Sequence, residues 1–180
     1  MRTKSFLPIA LASLALLYNA CDSSSANEPE ASTNETITIF DNFDMTEIPQ
    51  SCTAQLDRNM VTLDIVLKDW SIKEVQLFNG NKVLFTTIYN GLDEQELGKI
   101  CDLAKNEIKK GNAPKYLANT DCEGNVFSGE LLLEDKDTLI TPALLALTHD
   151  ITCNRLLNGT LTIGEFMSGN DESKTDHIID

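Results

Sequence analysis

Basic residues are scarce in this chain: 14 lysines and arginines stand against 28 aspartates and glutamates, a formal net charge of −14 over 180 residues. A nucleic-acid backbone needs clustered Lys and Arg to displace its counterions, so nucleic-acid binding is excluded, and anionic headgroups are repelled by the same field. Histidine is rarer still, with only His149 and His177 to act as a usual general base. His177 lies in a polar terminal stretch. His149 stands beside Asp150, but neighbours on a helix diverge by about 100°, so Asp150 does not orient the imidazole as a triad acid would. His149 therefore reads as an exposed helix residue. No serine lies in a Gly-x-Ser-x-Gly context and no Cys-x-x-Cys occurs, which leaves nucleophile-elbow, thioredoxin-like and zinc-knuckle chemistry without support. The expectation is no catalytic residue and no cofactor.

Long apolar runs are missing as well. The best, Ser5 to Leu17, would make a helix of about 20 Å, too short for a hydrocarbon core about 30 Å thick. Preceded by Arg2 and Lys4, it has the form of a signal-peptide core, with residues 1–20 expected to be removed. Removal takes two of the 14 basic residues and none of the 28 acidic ones, leaving a net charge near −16. The acidity serves solubility first, and attraction of Ca²⁺ or basic partners second.

The segment Leu17-Tyr18-Asn19-Ala20-Cys21 resembles, in degenerate form, the lipobox of bacterial lipoproteins. In that family a small residue precedes a cysteine that is acylated and becomes the new N-terminus; Ala20 and Cys21 fit. The resemblance implies a lipid, palmitate included, on Cys21 and a place in the cell envelope, facing the periplasm or exterior. Residues 21–36 are rich in Ser, Asn and Glu and read as a flexible tether.

Five cysteines occur, at 21, 52, 101, 122 and 153. Setting Cys21 aside leaves an even set in an exported chain, as two disulfides require. Four cysteines allow three connectivities. The nested one, Cys101–Cys122 and Cys52–Cys153, is favoured because Cys101 and Cys122 are nearest in sequence with a turn-rich segment between them.

From Gln50 onward the pattern turns to strands. Met60 to Lys68 alternates, with Val61, Leu63, Ile65 and Leu67 on one face, and Asp57-Arg58-Asn59 joins it to a first strand carrying Cys52. Ile72 to Phe78 and Lys82 to Tyr89 flank Asn79-Gly80, a pair suited to a type I′ hairpin turn. Asp93 to Lys110 predicts a helix on its Leu97, Ile100, Cys101, Ala104 and Ile108 stripe, with Asp93 and Glu96 as a capping box and Gly111 as its stop. Two short strands follow around Glu123-Gly124-Asn125. Thr141 as cap and Pro142 as first residue open a second helix through Leu144, Leu145, Leu147, Ile151 and about Leu156. A last short strand is expected over Thr160 to Phe166, and a disordered tail over 167–180.

One pattern resembles the EF-hand loop. Asn119, Asp121 and Glu123 take positions 1, 3 and 5, Gly124 position 6, Val126 position 8 and Glu130 position 12; Asn154 to Glu165 repeats part of it 35 residues on. The resemblance implies calcium at the turns 119–130 and 154–165, with Asn119, Asp121, Glu123 and Glu130 as candidate ligands. Against it, neither loop starts with Asp, Leu156 takes a ligand position, and Gly111 and Pro114 break the helix that would enter the first loop. Carboxylate pairs, Asp41 with Asp44 or Glu134, Asp135 and Asp137, are the only other catalytic prospect, suited to glycoside hydrolysis if they face one another. Trp70, the sole tryptophan, reads as a core-edge aromatic rather than a ligand platform.

The sequence thus predicts one α+β domain over 37–166: an antiparallel sheet, meander plus hairpin, with two helices on one face and two disulfides. The expected function is a lipid-anchored, non-enzymatic binding or structural module meeting a protein or glycan partner. The alternatives are a calcium-binding module and an extracellular hydrolase.

Overall fold

The computed structural model describes residues 44–109, 117–133 and 140–168. Six strands form one sheet: β1 (Ser51–Asp57), β2 (Met60–Val66), β3 (Ser71–Asn79), β4 (Lys82–Asn90), β5 (Leu117–Glu123) and β6 (Val126–Leu132). Among the described residues three helices accompany them, α1 (Glu94–Lys109), α2 (Pro142–Leu157) and α3 (Ile163–Ser168). The spatial order is β1-β2-β3-β4-β6-β5, every pair antiparallel. β1 to β4 form the expected meander; after α1 the chain takes the far edge as β5, and β6 returns as a hairpin to lie beside β4.

Alternation decides which face is covered. Val61, Leu63 and Ile65 of β2, Val83, Phe85 and Tyr89 of β4, and Phe127 and Leu131 of β6 are buried on the face that receives the helices. The other face carries Thr62, Asp64, Thr86, Ser128 and Glu130, half-buried or exposed. Gly129 leaves room for the Phe85 ring, whose nearest atom would be 2.8 Å from an added Cβ, and Phe85 packs on Phe127 at a centroid distance of 5.6 Å. Trp70 is buried in this core, in keeping with its reading as a core-edge aromatic.

Both predicted disulfides are present. Cys52 of β1 bridges Cys153 of α2 with Cα atoms 5.1 Å apart, and Cys101 of α1 bridges Cys122 of β5 at 5.6 Å. α1 and α2 are therefore each covalently fixed to one edge strand of the sheet. α1 also buries Ile100 against the core, and its start is the expected reciprocal capping box: the Glu96 backbone N–H donates to Asp93 Oδ1 at 2.8 Å, and that of Asp93 to Glu96 Oε2 at 3.0 Å.

Three local expectations are corrected. In the β3–β4 hairpin Asn79 pairs with Lys82, so the turn residues are Gly80-Asn81, and of these only Gly80 has positive φ, +63°. That is the requirement of a type II′ turn rather than I′. The segment expected as a last strand is α3, because Thr162 and Glu165 form a second capping box: the Thr162 N–H and hydroxyl donate to Glu165 Oε2 at 2.8 and 2.9 Å, and the Glu165 N–H returns to Thr162 Oγ1 at 3.1 Å. The ordered part also runs beyond Phe166, since α3 ends at Ser168 and Met167 is buried.

Candidate functional site

α2 is apolar on nearly every side, and its rotation determines what it buries. Leu145, His149, Thr152, Cys153 and Leu156 face the sheet. Leu144, Leu147 and Ile151, named with Leu145 as the apolar residues of this helix, lie on its outer side and are exposed. The cause is the Cys52–Cys153 bridge: with Cys153 held on the sheet, residues four and eight positions earlier, His149 and Leu145, share its face. His149 is thus fully buried, not the exposed residue expected.

Beneath it lies a polar cluster in an otherwise apolar layer. Glu74 and Thr87 are direct cross-strand partners on β3 and β4, and Gln76 is two residues from Glu74 on the same face. All three side chains are fully buried. Gln76 Nε2 donates to Glu74 Oε1, which leaves Gln76 Oε1 as acceptor, 3.0 Å from His149 Nε2. The network therefore places the imidazole proton on Nε2. His149 Nδ1 and Thr87 Oγ1 have no hydrogen-bond partner among the described residues. Burial disfavours the charged imidazolium and lowers the His149 pKa from 6.5 to about 4. A neutral imidazole fully buried between α2 and the sheet does not reach an external substrate as a general base.

The calcium-like residues 119–130 form the β5–β6 hairpin, not a helix–loop–helix. Asn119 has a positive φ of 48° at an irregularity in pairing between Ala118 and Asp121. Glu130 accepts from Lys82 Nζ at 2.9 Å, and that bond, aided by one from Asn119, holds its carboxyl below the usual range. Asp121 accepts its neighbour's backbone N–H, that of Cys122, at 2.9 Å. Glu123 is exposed at the turn. Asn119 and Glu130 are thus brought together while Asp121 and Glu123 are not, since four residues along a strand span about 13 Å against calcium–oxygen distances near 2.4 Å. In the second stretch, Asn158 Oδ1 accepts from the Thr160 N–H at 3.0 Å and hydroxyl at 2.7 Å, and Glu165 is spent on capping α3. Among the described residues no group of three or more His, Cys, Asp or Glu is placed to hold a metal.

Of the carboxylate pairs, Asp44 accepts from the Thr46 hydroxyl at 2.6 Å and backbone N–H at 2.9 Å, bonds that lower its pKa. Asp41, Glu134, Asp135 and Asp137 lie outside the described residues, as do Cys21, His177 and the expected leader and tether. No described helix is long and apolar enough to cross a membrane.

The fold is an α+β domain with an open antiparallel sheet, helix-covered on one face and stapled by two disulfides. Comparison with family models, curated proteins and solved structures gives no match.

Proposed function

We propose that this chain is an exported protein held at a bacterial membrane surface by a lipid on Cys21, acting there as a non-enzymatic binding or structural module. The observation that carries this reading is the cysteine pairing: of the five cysteines, four are consumed by Cys52–Cys153 and Cys101–Cys122, and the one left over is the lipobox cysteine. Two structural disulfides fit an oxidising compartment outside the cytoplasm. The burial of His149 and the local use of Asp44, Asp121 and Glu165 favour a binding role over catalysis. The exposed stripe of Leu144, Leu147 and Ile151 favours a protein partner. A single acyl chain binds membranes only marginally, and this acidic chain has no polybasic patch, so stable attachment calls for several acyl chains on Cys21.

Intact-mass measurement of the protein from membranes, with and without reduction, tests this. The expected mass is that of a chain starting at Cys21 plus acyl groups, rising on reduction by the hydrogens that two bridges take up. A chain starting elsewhere, or carrying no acyl mass, would overturn the reading.

A further inference from the structure

The two edges of the sheet are built differently. β5 carries an irregularity at Ala118–Asp121, a left-handed Asn119, and the charges of Asp121 and Glu123, devices that keep an edge from pairing. β1, Ser-Cys-Thr-Ala-Gln-Leu-Asp, has neither proline nor bulge, pairs with β2 in unbroken register from Ser51↔Val66 to Asp57↔Met60, and bears no charge before Asp57. It is also the most exposed strand: Ser51, Thr53, Gln55, Leu56 and Asp57 are all exposed, Leu56 at 47 %. Alternate backbone N–H and C=O groups of such a strand point away from the sheet, and among the described residues no further strand pairs with them. The Cys52–Cys153 bridge holds β1 against α2, so a partner strand would meet an edge already ordered.

We propose that β1 is a docking edge for a second copy of this chain, whose own β1 adds antiparallel to make one continuous sheet through the pair. The occupant is argued from the strand's pattern. A strand added here must be apolar toward the helix-covered face, beside Cys52, Ala54 and Leu56, and polar toward the other, beside Thr53 and Gln55. β1 has that pattern itself, and a two-fold axis perpendicular to the sheet puts both covered faces on the same side. With the axis at Ala54, Leu56 of one copy lies opposite Cys52 of the other, Gln55 opposite Thr53, and Asp57 opposite Ser51, so no like charges are paired. Centring on Thr53 instead would set Leu56 against Gln50. Two strongly acidic chains thus meet through the segment of the described sheet edges that carries the least charge.

Sedimentation equilibrium of the full chain in density-matched detergent tests the pairing. The wild type is expected to show a monomer–dimer equilibrium. Thr53→Glu with Gln55→Glu sets two like-charge pairs across the axis and is expected to weaken dimerisation roughly tenfold or more. Thr53→Glu with Gln55→Lys sets opposite charges there and is expected to restore it. Both positions are exposed, and a non-reducing gel with circular dichroism checks that each variant keeps its bridges and fold. A wild-type chain that stays monomeric at every concentration overturns the proposal, including the case where it instead binds an unrelated extended peptide. A dimer indifferent to the double-glutamate change, or not recovered by the charge swap, also overturns it. The mass of the anchor on Cys21 does not enter this readout, so lipidation and pairing can fail separately.

Discussion

His149 Nε2 lies 3.0 Å from Gln76 Oε1, and through Gln76 the imidazole is coupled to the carboxylate of Glu74 in the fully buried layer between α2 and the sheet. The contact makes stability depend on pH in a defined direction. His149 has a folded pKa of about 4 against 6.5 for the free side chain. Between those values the unfolded chain binds the extra proton, so the contribution of the neutral imidazole is complete above about pH 6.5 and falls away toward pH 4. The shift corresponds to about 3 kcal/mol. Urea titrations from pH 7.5 to 3.5 should show this loss on top of the carboxylate titrations. His149→Leu should be less stable at pH 7 by about 1–3 kcal/mol, since Gln76 Oε1 loses its donor, and should show a flatter profile from pH 6.5 to 4. An unchanged slope would mean that another group carries the dependence.

The two disulfides close loops of very different length, 101 and 21 residues. Loop-closure entropy assigns about 4.7 kcal/mol to the longer and about 3 kcal/mol to the shorter. Paired replacement of Cys52 and Cys153 by serine is expected to lower the melting temperature more than replacement of Cys101 and Cys122. The longer bridge also sets the rotation of α2, so its removal should expose buried amides of β1 and α2 to hydrogen exchange, while loss of the shorter bridge should affect α1 and β5. Equal melting temperatures in the two variants would refute the ranking.

How far the sequence could be read depended on how many constraints agreed at each segment. β2 and β4 were legible because each strand covers one core with a clean alternation, Val61-Leu63-Ile65 and Val83-Phe85. α1 was legible because its capping box and lysine-rich end coincide with its period. The interior of α2 was not: apolar residues lie on both faces, so periodicity could not choose between them, and His149 went to the wrong side. The predicted Cys52–Cys153 pairing already contained the answer, since it fixes the helix rotation. β3 hid the other half of the polar cluster, because Glu74 and Gln76 share a face with Ile72 and Phe78 while Val75 and Leu77 take the open side. Such an inversion is decided by a partner helix, not by the strand.

α3 presents the same conflict in miniature. Leu161 and Ile163 alternate as a strand would, and both are buried; the Thr162–Glu165 box and the bond from the Gly164 N–H to the Met45 carbonyl at 3.0 Å decide for helix. Thr162→Ala removes the cap and should cost about 1 kcal/mol, with Thr162→Ser close to neutral. Chemical denaturation of the two variants separates the hydroxyl from the methyl. A serine variant as unstable as the alanine one would show that the methyl, not the cap, stabilises this turn.

Gly91, just after β4, has a φ of +88°, and a Cβ there would run into the Asp69 carbonyl oxygen and come within 2.9 Å of the Trp70 Cα. Both obstacles are backbone, and Trp70 is itself locked in the core, so the site has no flexible side chain to give way. Gly80, with φ +63°, has nothing within 4 Å of the same position. The two glycines therefore separate conformational strain from steric collision. Gly80→Ala should cost about 1–2 kcal/mol, the penalty of an alanine held at positive φ alone. Gly91→Ala should cost clearly more, about 2–4 kcal/mol, because the 68–70 turn must move away from β4 and draw Trp70 with it. Tryptophan fluorescence gives the distinguishing readout, since Trp70 is the single tryptophan: its emission should shift to the red in Gly91→Ala and stay unchanged in Gly80→Ala. Equal destabilisation of the two variants with no change in emission would show that the close approach of β4 to the Asp69–Trp70 backbone is not what requires glycine at 91.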